Sequence, residues 1–462
     1  MSNSSTQFLQ DAETKVFDSE HRRKLAFNIL QYDKKVDEGK HQYRDFDTAR
    51  QRANFLKWRT IEQLDKHLIE FEANFIKRGG KVIWANDAEE AMREIVRILT
   101  AAGAKTVVKS KSMTTEEIHV NEGLAKAGIE SIETDLGEFI VQLREEPPYH
   151  IVTPAMHLSK EDVAQTFHEK YHLPIESTPK QITAFVRERL REKYQRADAG
   201  ITGANFLIAD TGSIAVTENE GNALMSVAFP KIHIAIAGIE KMIPSLTDLD
   251  LYWPLLATHG TGQNITVYNS ILSGPKTTEE HDGPEEMYVI LLDNGRTNLL
   301  AQPDQRQALY CIRCGACLNG CPIYKGVGGH AYGSTYSGPI GSVITPHYKG
   351  MKEFKHLSYA SSLCGKCTEV CPVRIDLHKL LLFNRRDSAE QSLNPRTERW
   401  VFYFWKRAML SRRLMNQGNA KMKNFVLRNF FRKNWGDRRA LPEVATRSFN
   451  DEWLQRRGRQ GA

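Results

Sequence analysis

The sequence predicts an α/β domain on a parallel sheet, then an α-helical domain carrying every cysteine, then a basic helical C-terminal region. Three observations lead there. From residue 81 to 133, short apolar strands alternate with helical patterns at the pitch of βαβ units. All seven cysteines fall between 311 and 371. Residues 395–439 then interleave aromatic side chains, from Trp400 to Trp435, with 13 Lys and Arg against only Glu398 and Asp437.

At 462 residues the chain has room for two or three domains, and its 41% hydrophobic and 26% charged residues are ordinary for a protein in water. No apolar run approaches the ~20 residues of a membrane-spanning helix. The first twenty residues are polar and acidic, without the basic-then-apolar order of a signal peptide. A cytoplasmic location is expected, where thiols stay reduced. The net charge of +7 is uneven: 395–439 sums to +11 and the remainder to −4.

Residues 1–80 read as helical, with apolar positions such as Phe55, Ile61, Leu64, Leu68 and Phe71 at helical spacing, until Gly79-Gly80 ends the pattern. A strand at 81–85 precedes a helix opened by Asn86 or Asp87 and closed by Gly103. Strand 106–108, helix 114–126 and strand 131–133 continue the alternation. Residues 151–196 are again helical, broken by Pro154, Pro174 and Pro179. Strands follow at 206–209, 214–217, 231–237, 265–268 and 287–292. The expected division is 1–80 (helical segment), 81–299 (α/β domain), 300–390 (cysteine domain) and 391–462 (basic, aromatic region).

Polar loops at strand ends are where α/β domains place ligands. Asp210-Thr211-Gly212-Ser213 is either such a loop or a plain hairpin turn. Glu218, Glu220 and Asn222 are denser than a turn needs, so Asp210, Glu218, Glu220 and Asn222 form a candidate ligand loop; no catalytic residue is assigned. No strand-linked G-x-G-x-x-G and no G-x-x-x-x-G-K-[ST] occurs, which gives no sign of a nicotinamide or flavin site.

Cys311, Cys314, Cys317 and Cys321 fall at C-x2-C-x2-C-x3-C with Pro322 directly after, the bacterial ferredoxin run. After 42 residues, Cys364, Cys367, Cys371 and Pro372 repeat it without its first cysteine, and Ser361 stands at that position. Zinc sites favour paired cysteines with four ligands per ion, a poor match to a 4+3 pattern. Disulfides suit neither the odd count nor the crowding. The pattern therefore predicts two iron–sulfur clusters. By the crossing rule one takes Cys311, Cys314, Cys317 and Cys371, the other Cys321, Cys364 and Cys367. The fourth ligand of the second is left open between an oxygen, a histidine and an exogenous ligand, with 3Fe–4S as the alternative to 4Fe–4S. His378 reads as packed or solvated rather than a ligand. The stretch 325–348 reads as an ordered loop over the clusters, 376–385 as a helix, and 441–462 as an exposed tail anchored by Phe449 and Trp453.

The blocks CIRCGACLNGCP and CGKCTEVCP, with ADTGSIAVTENEGNA and KIHIAIAGIEKMIPSLTD upstream, resemble the iron–sulfur subunits of the lactate utilization protein B family over essentially the whole chain. The resemblance implies an N-terminal fold like that of sugar-phosphate isomerases and CoA transferases. It also implies two 4Fe–4S clusters on the seven cysteines grouped as above, the second with three. The implied setting is a cytoplasmic complex with two other lactate-utilization subunits that oxidises L-lactate to pyruvate and passes electrons to an acceptor. Three functions then compete: an electron-transfer subunit, a catalytic subunit binding lactate in the α/β domain, and a redox-responsive nucleic-acid binder. The first is favoured and no nucleic acid is expected. The basic stretch 395–439 suits an anionic membrane surface or an acidic partner, or simply packs on its own domain.

Overall fold

In the computed structural model, which describes residues 3–436 and 439–460, the chain divides into two units, Met1–Ser388 and Ala389–Ala462. The first is organised by the run Ile232–Gly238, every residue of which is buried. Such unbroken burial marks the centre of a parallel sheet covered on both faces. In chain order the strands are β1 (Lys81–Ala85), β2 (Thr106–Lys109), β3 (Glu130–Glu133), β4 (Ala199–Gly203), β5 (Phe206–Ile208), β6 (Ser213–Glu218), β7 (Ile232–Gly238), β8 (Met242–Ile243), β9 (Tyr268–Leu272) and β10 (Glu286–Leu292). Six of them form one sheet in the order β1-β10-β7-β4-β2-β3, with every pairing parallel. The other four form a small sheet, β8-β5-β6-β9.

Strand β4 has no counterpart in the sequence reading. Its residues, Ala-Gly-Ile-Thr-Gly, look like turn rather than strand. The glycines are there for packing: a Cβ on Gly200 would sit 1.8 Å from the Ser226 carbonyl oxygen, and one on Gly203 would sit 2.5 Å from Ser112 Oγ. Helix Leu249–Thr261 likewise has no counterpart in the sequence reading; it carries Pro254 inside it, a residue that in sequence marks a break. The strand expected at 265–268 lies later, as β9, where it pairs antiparallel with β6. Asp210-Thr211-Gly212-Ser213 joins antiparallel β5 and β6, with Gly212 at φ 58°. It has the geometry of a hairpin turn.

Before the first strand the described chain runs in helical segments Asn3–Phe17, Ser19–Gly39, Phe46–Glu62 and Leu64–Lys77. Asp18 and Asp45 cap the second and third through side-chain bonds to His21 and Thr48 amides. Helix Leu64–Lys77 packs its Leu68, Phe71 and Phe75 with the sheet. The three earlier helices do something the sequence did not suggest. Phe8, Leu25, Ile29 and Leu56 share one apolar core with Tyr324, Tyr332, Cys314 and Cys371, so the beginning of the chain completes the cysteine domain.

In that domain the stretch 325–348 is not a loop. It holds the end of helix Pro322–Val327 and all of helix Gly338–Tyr348, buried from Gly338 to Pro346. Gly341 disguises the second helix, yet it is needed where its Cα meets the Tyr336 carbonyl, 2.0 Å from where a Cβ would stand. Helices Met351–Tyr359 and Leu377–Glu390 complete the domain.

The second unit is helical, with Arg396–Met409 its longest element. No residue of that helix is buried, and Trp400, Phe402, Phe404 and Trp405 are exposed. The expected tail contains helix Phe449–Gln460, where the exposed Phe449 and Trp453 rings stack 6.0 Å apart. Asp437 lies outside the described residues. Among the described residues no helix is long and apolar enough to cross a membrane.

Candidate iron–sulfur centres and an adjoining cavity

The two cysteine blocks repeat in conformation as well as in sequence. Arg313 (φ 62°) and Leu363 (φ 54°) occupy the left-handed region just before a cysteine, and Gly315 and Gly365, both at φ 80°, follow it. One-turn helices, Ala316–Asn319 and Lys366–Glu369, then carry the next thiol. Prolines 322 and 372 stop each block from continuing past its last cysteine as one helix. Left-handed residues reverse the chain so that successive thiols point inward, and glycine meets that demand at least cost. Arg50 holds the second block, donating to the carbonyls of Glu369 (2.6 Å) and Cys371 (2.8 Å).

Cys311, Cys314, Cys317 and Cys371 line one small chamber walled by Ile151, Ile340, Ile375 and Leu377. Burial pushes the Cys371 thiol up to about 12 and raises the Cys314 and Cys317 thiols as well, and neighbouring sulfurs add to it. Cys321, Cys364 and Cys367 form a second group. Burial, with Cys321 and Cys364 beside it, lifts Cys367 to about 11, while the exposed Cys364 is lowered by the Lys366 amide. Crowded thiols that resist ionisation need a cationic centre to become thiolates. Among the described residues no three His, Cys, Asp or Glu converge as a single metal ion would need. A cubane distributes its ligands over separate iron corners, so a 4+3 set of thiols around two centres fits that group better than a lone ion. His378 is occupied otherwise, with Nδ1 2.7 Å from Thr368 Oγ1.

Beyond the carboxyl ends of β2, β3, β4 and β7 lies a cavity of about 510 Å³, within the range of small-molecule sites. Ile151 lines both this cavity and the thiol chamber. Lys111, Lys241 and Arg313 bring positive charge to it; Asp135, Glu218 and Glu220 bring negative. Arg313 belongs to the first cysteine block: its backbone N–H donates to Cys311 Sγ (3.4 Å), and its guanidinium lies 4.3 Å from the Tyr336 ring centre. Nη2 reaches Glu240 Oε1 at 3.3 Å, whereas the buried Nη1 finds no hydrogen-bond partner among the described residues. Burial drops the Lys241 amine to about 8.

Behind Arg313 runs a buried ionic network. Arg296 meets Glu117 through two bonds (2.9 and 2.8 Å) and Glu240 through Nε (2.5 Å). The Tyr336 hydroxyl donates to Glu117 (2.6 Å). Burial alone would raise both carboxyls, but Arg296 overrides it and holds Glu117 low and Glu240 at about 2.

Of the candidate ligand loop, Glu218, Glu220 and Asn222 line the cavity. Glu218 accepts from the amides of Ala223 (2.7 Å) and Leu224 (2.9 Å). Glu220 accepts from the Leu136 amide (3.2 Å); burial and Asp135 raise its carboxyl to about 7. Asp210 sits at the far end of the hairpin and accepts from the Leu246 amide (3.1 Å). Lys111, Lys241, Arg296 and Arg313 were missed as site residues. Three of them follow strand ends, directly or within a few residues, which was the available signal.

A family profile described as the LUD domain matches residues 68–292, and one described as a 4Fe-4S dicluster domain matches residues 307–375. Lactate utilization protein B of Shouchella clausii is 43% identical over 430 residues, 88% of this chain and 90% of that protein. The protein of that name from Bacillus pumilus is 41% identical over 443 residues, covering 90% and 92%, and that from Bacillus cereus strain AH820 is 43% identical over 407, covering 86% of each. The chain belongs to the lactate utilization protein B family. A solved DUF162 family protein from Deinococcus radiodurans matches 50% of this chain and 98% of its own at 14% identity, with a TM-score of 0.28. The family's 4Fe–4S dicluster segment coincides with the two cysteine blocks, and its LUD segment contains the whole parallel sheet and most of the cavity wall.

Proposed function

We propose that this chain is the electron-transfer member of a cytoplasmic assembly that oxidises L-lactate to pyruvate, working with two other lactate-utilization subunits and an electron acceptor. The names of its relatives supply the substrate, and the shared wall at Ile151 supports the route: a ligand cavity and a four-thiol chamber back onto each other. Cys311, Cys314, Cys317 and Cys371 would hold one 4Fe–4S cluster and Cys321, Cys364 and Cys367 the other. Each cluster, when bound, takes up and releases one electron at a time. Oxidising lactate to pyruvate releases two electrons and two protons, so two one-electron carriers match the stoichiometry. The parallel sheet accords with a fold like that of sugar-phosphate isomerases and CoA transferases. The exposed Trp400, Phe402, Phe404 and Trp405, with the cations that the sequence carries over 395–439, suit docking to an anionic membrane surface or an acidic partner; no nucleic-acid role is assigned.

The unpartnered Nη1 of Arg313 favours a second reading, in which this chain also binds the 2-hydroxy acid. Arg313 and Lys241 would face the carboxylate, and Glu220, near neutral pH, could take a proton.

The test is to add L-lactate to the anaerobically purified assembly and follow the clusters by paramagnetic resonance. Reduced clusters appearing with pyruvate support the proposal; pyruvate forming while the clusters stay oxidised rejects it. For the second reading, the isolated chain is assayed with an artificial acceptor. Turnover that Glu220→Gln abolishes without cluster loss supports it.

A further inference from the structure

The second cysteine block lacks a thiol at its first position, but the structure does not lack a ligand atom there. In the first block, the Arg313 N–H turns back onto Cys311 Sγ at 3.4 Å. In the second, the Leu363 N–H turns back onto Ser361 Oγ at 3.1 Å. The flanking backbones agree: the residue two before Gly315 or Gly365 is left-handed in both, and the two glycines differ by 2° in ψ (−9° and −7°). In each block the amide of the last cysteine donates back three residues, Cys321 to Leu318 and Cys371 to Thr368. Ser361 Oγ thus occupies the position that Cys311 Sγ occupies in its own block.

The surroundings fix it there. Arg385 donates to the carbonyls of Ser358 (2.9 Å) and Ser361 (3.3 Å) and lies 5.1 Å from the Tyr359 ring centre. Arg385 on the Ser361 carbonyl and the Leu363 amide on its Oγ hold the residue in that position. Two neighbouring side chains are otherwise engaged: Thr368 with His378, and Ser362 with the Cys364 thiol.

We propose that Ser361, through Oγ, is the fourth protein ligand of the second iron–sulfur cluster, beside Cys321, Cys364 and Cys367; this rests on the grouping of cysteines given above. Ligation breaks the serine O–H bond and forms an Fe–O bond, and the proton leaves to solvent; no electron is transferred. The second cluster is then a complete cubane with no open iron, and the missing cysteine is a substitution of oxygen for sulfur.

The anaerobically purified full-length chain is compared as wild type, Ser361→Cys, Ser361→Ala and Cys364→Ala by Mössbauer and paramagnetic resonance during stepwise oxidation. The alanine variant should lose an iron from the second cluster at least roughly tenfold faster than wild type, collapsing to the 3Fe–4S signal. The cysteine variant, which keeps an acceptor for Leu363, should hold all its iron with an altered signal from that cluster alone. An added thiol should change the spectrum of the alanine variant and not that of the wild type. The proposal is overturned if the alanine variant loses iron no faster than wild type, or if wild type binds the thiol as readily. Cys364→Ala separates the two failures: should it leave the second cluster untouched, the cysteine grouping itself is wrong.

Discussion

Arg313 Nη2 lies 3.3 Å from Glu240 Oε1, which ties the first cysteine block to the turn after the central strand of the sheet. Glu240 also keeps Arg296 at 2.5 Å. The two arginines are therefore unequal. Arg296→Met strands two buried carboxylates, Glu117 and Glu240, and should cost about 3–5 kcal/mol or prevent folding. Arg313→Met leaves Glu240 its stronger partner and should cost less than half as much. Thermal melting of the holoprotein ranks them, and equal losses would contradict the network.

Binding of a small 2-hydroxy acid should depend on pH through Glu220. Its carboxyl is raised to about 7, first by burial and then by Asp135, with Glu218 adding repulsion and Lys111 opposing it. Below pH 7 it is largely protonated and neutral; above, it adds a further negative charge to the cavity. The dissociation constant of an acid ligand should therefore rise as pH increases through 7. Glu220→Gln should flatten that rise in a calorimetric titration.

Iron should leave in two phases. Three of the four thiols of the first group are buried, whereas Cys364 of the second is exposed. A chelator added under mild oxidation should strip the second site first. Cys364→Ala should remove the fast phase and leave the slow one, read from the visible absorbance.

Two glycine substitutions should diverge. Gly200→Ala drives a methyl into the Ser226 carbonyl and should destabilise by about 1–3 kcal/mol or more. Gly103→Ala meets nothing within 4 Å and is penalised only for its left-handed φ of 66°, about 1–2 kcal/mol. Denaturant midpoints distinguish them.

What the sequence disclosed and what it hid follow one physical division. The cysteine blocks were legible because ligands to a cluster come from residues two or three apart, a purely local constraint. Strands such as β7 and β10 were legible because burial on both faces leaves an apolar run. The basic side of the cavity was not, since Lys111, Lys241 and Arg313 stand far apart in the chain and are gathered only by the tertiary fold. Strand β4 and helix Gly338–Tyr348 were hidden for a related reason. Their glycines answer to Ser226 and Tyr336 respectively, and the residue-by-residue preference of glycine says the opposite.

The shared core of Phe8, Leu25, Ile29 and Leu56 with Tyr324 and Tyr332 has a consequence for biosynthesis. At roughly 5–20 residues per second, the opening helices leave the ribosome some tens of seconds before the segment that buries them exists. Over that interval their apolar faces are uncovered, so a chaperone that shields them should raise the yield of holoprotein. A fragment begun at residue 300 would receive its iron into a half-built shell.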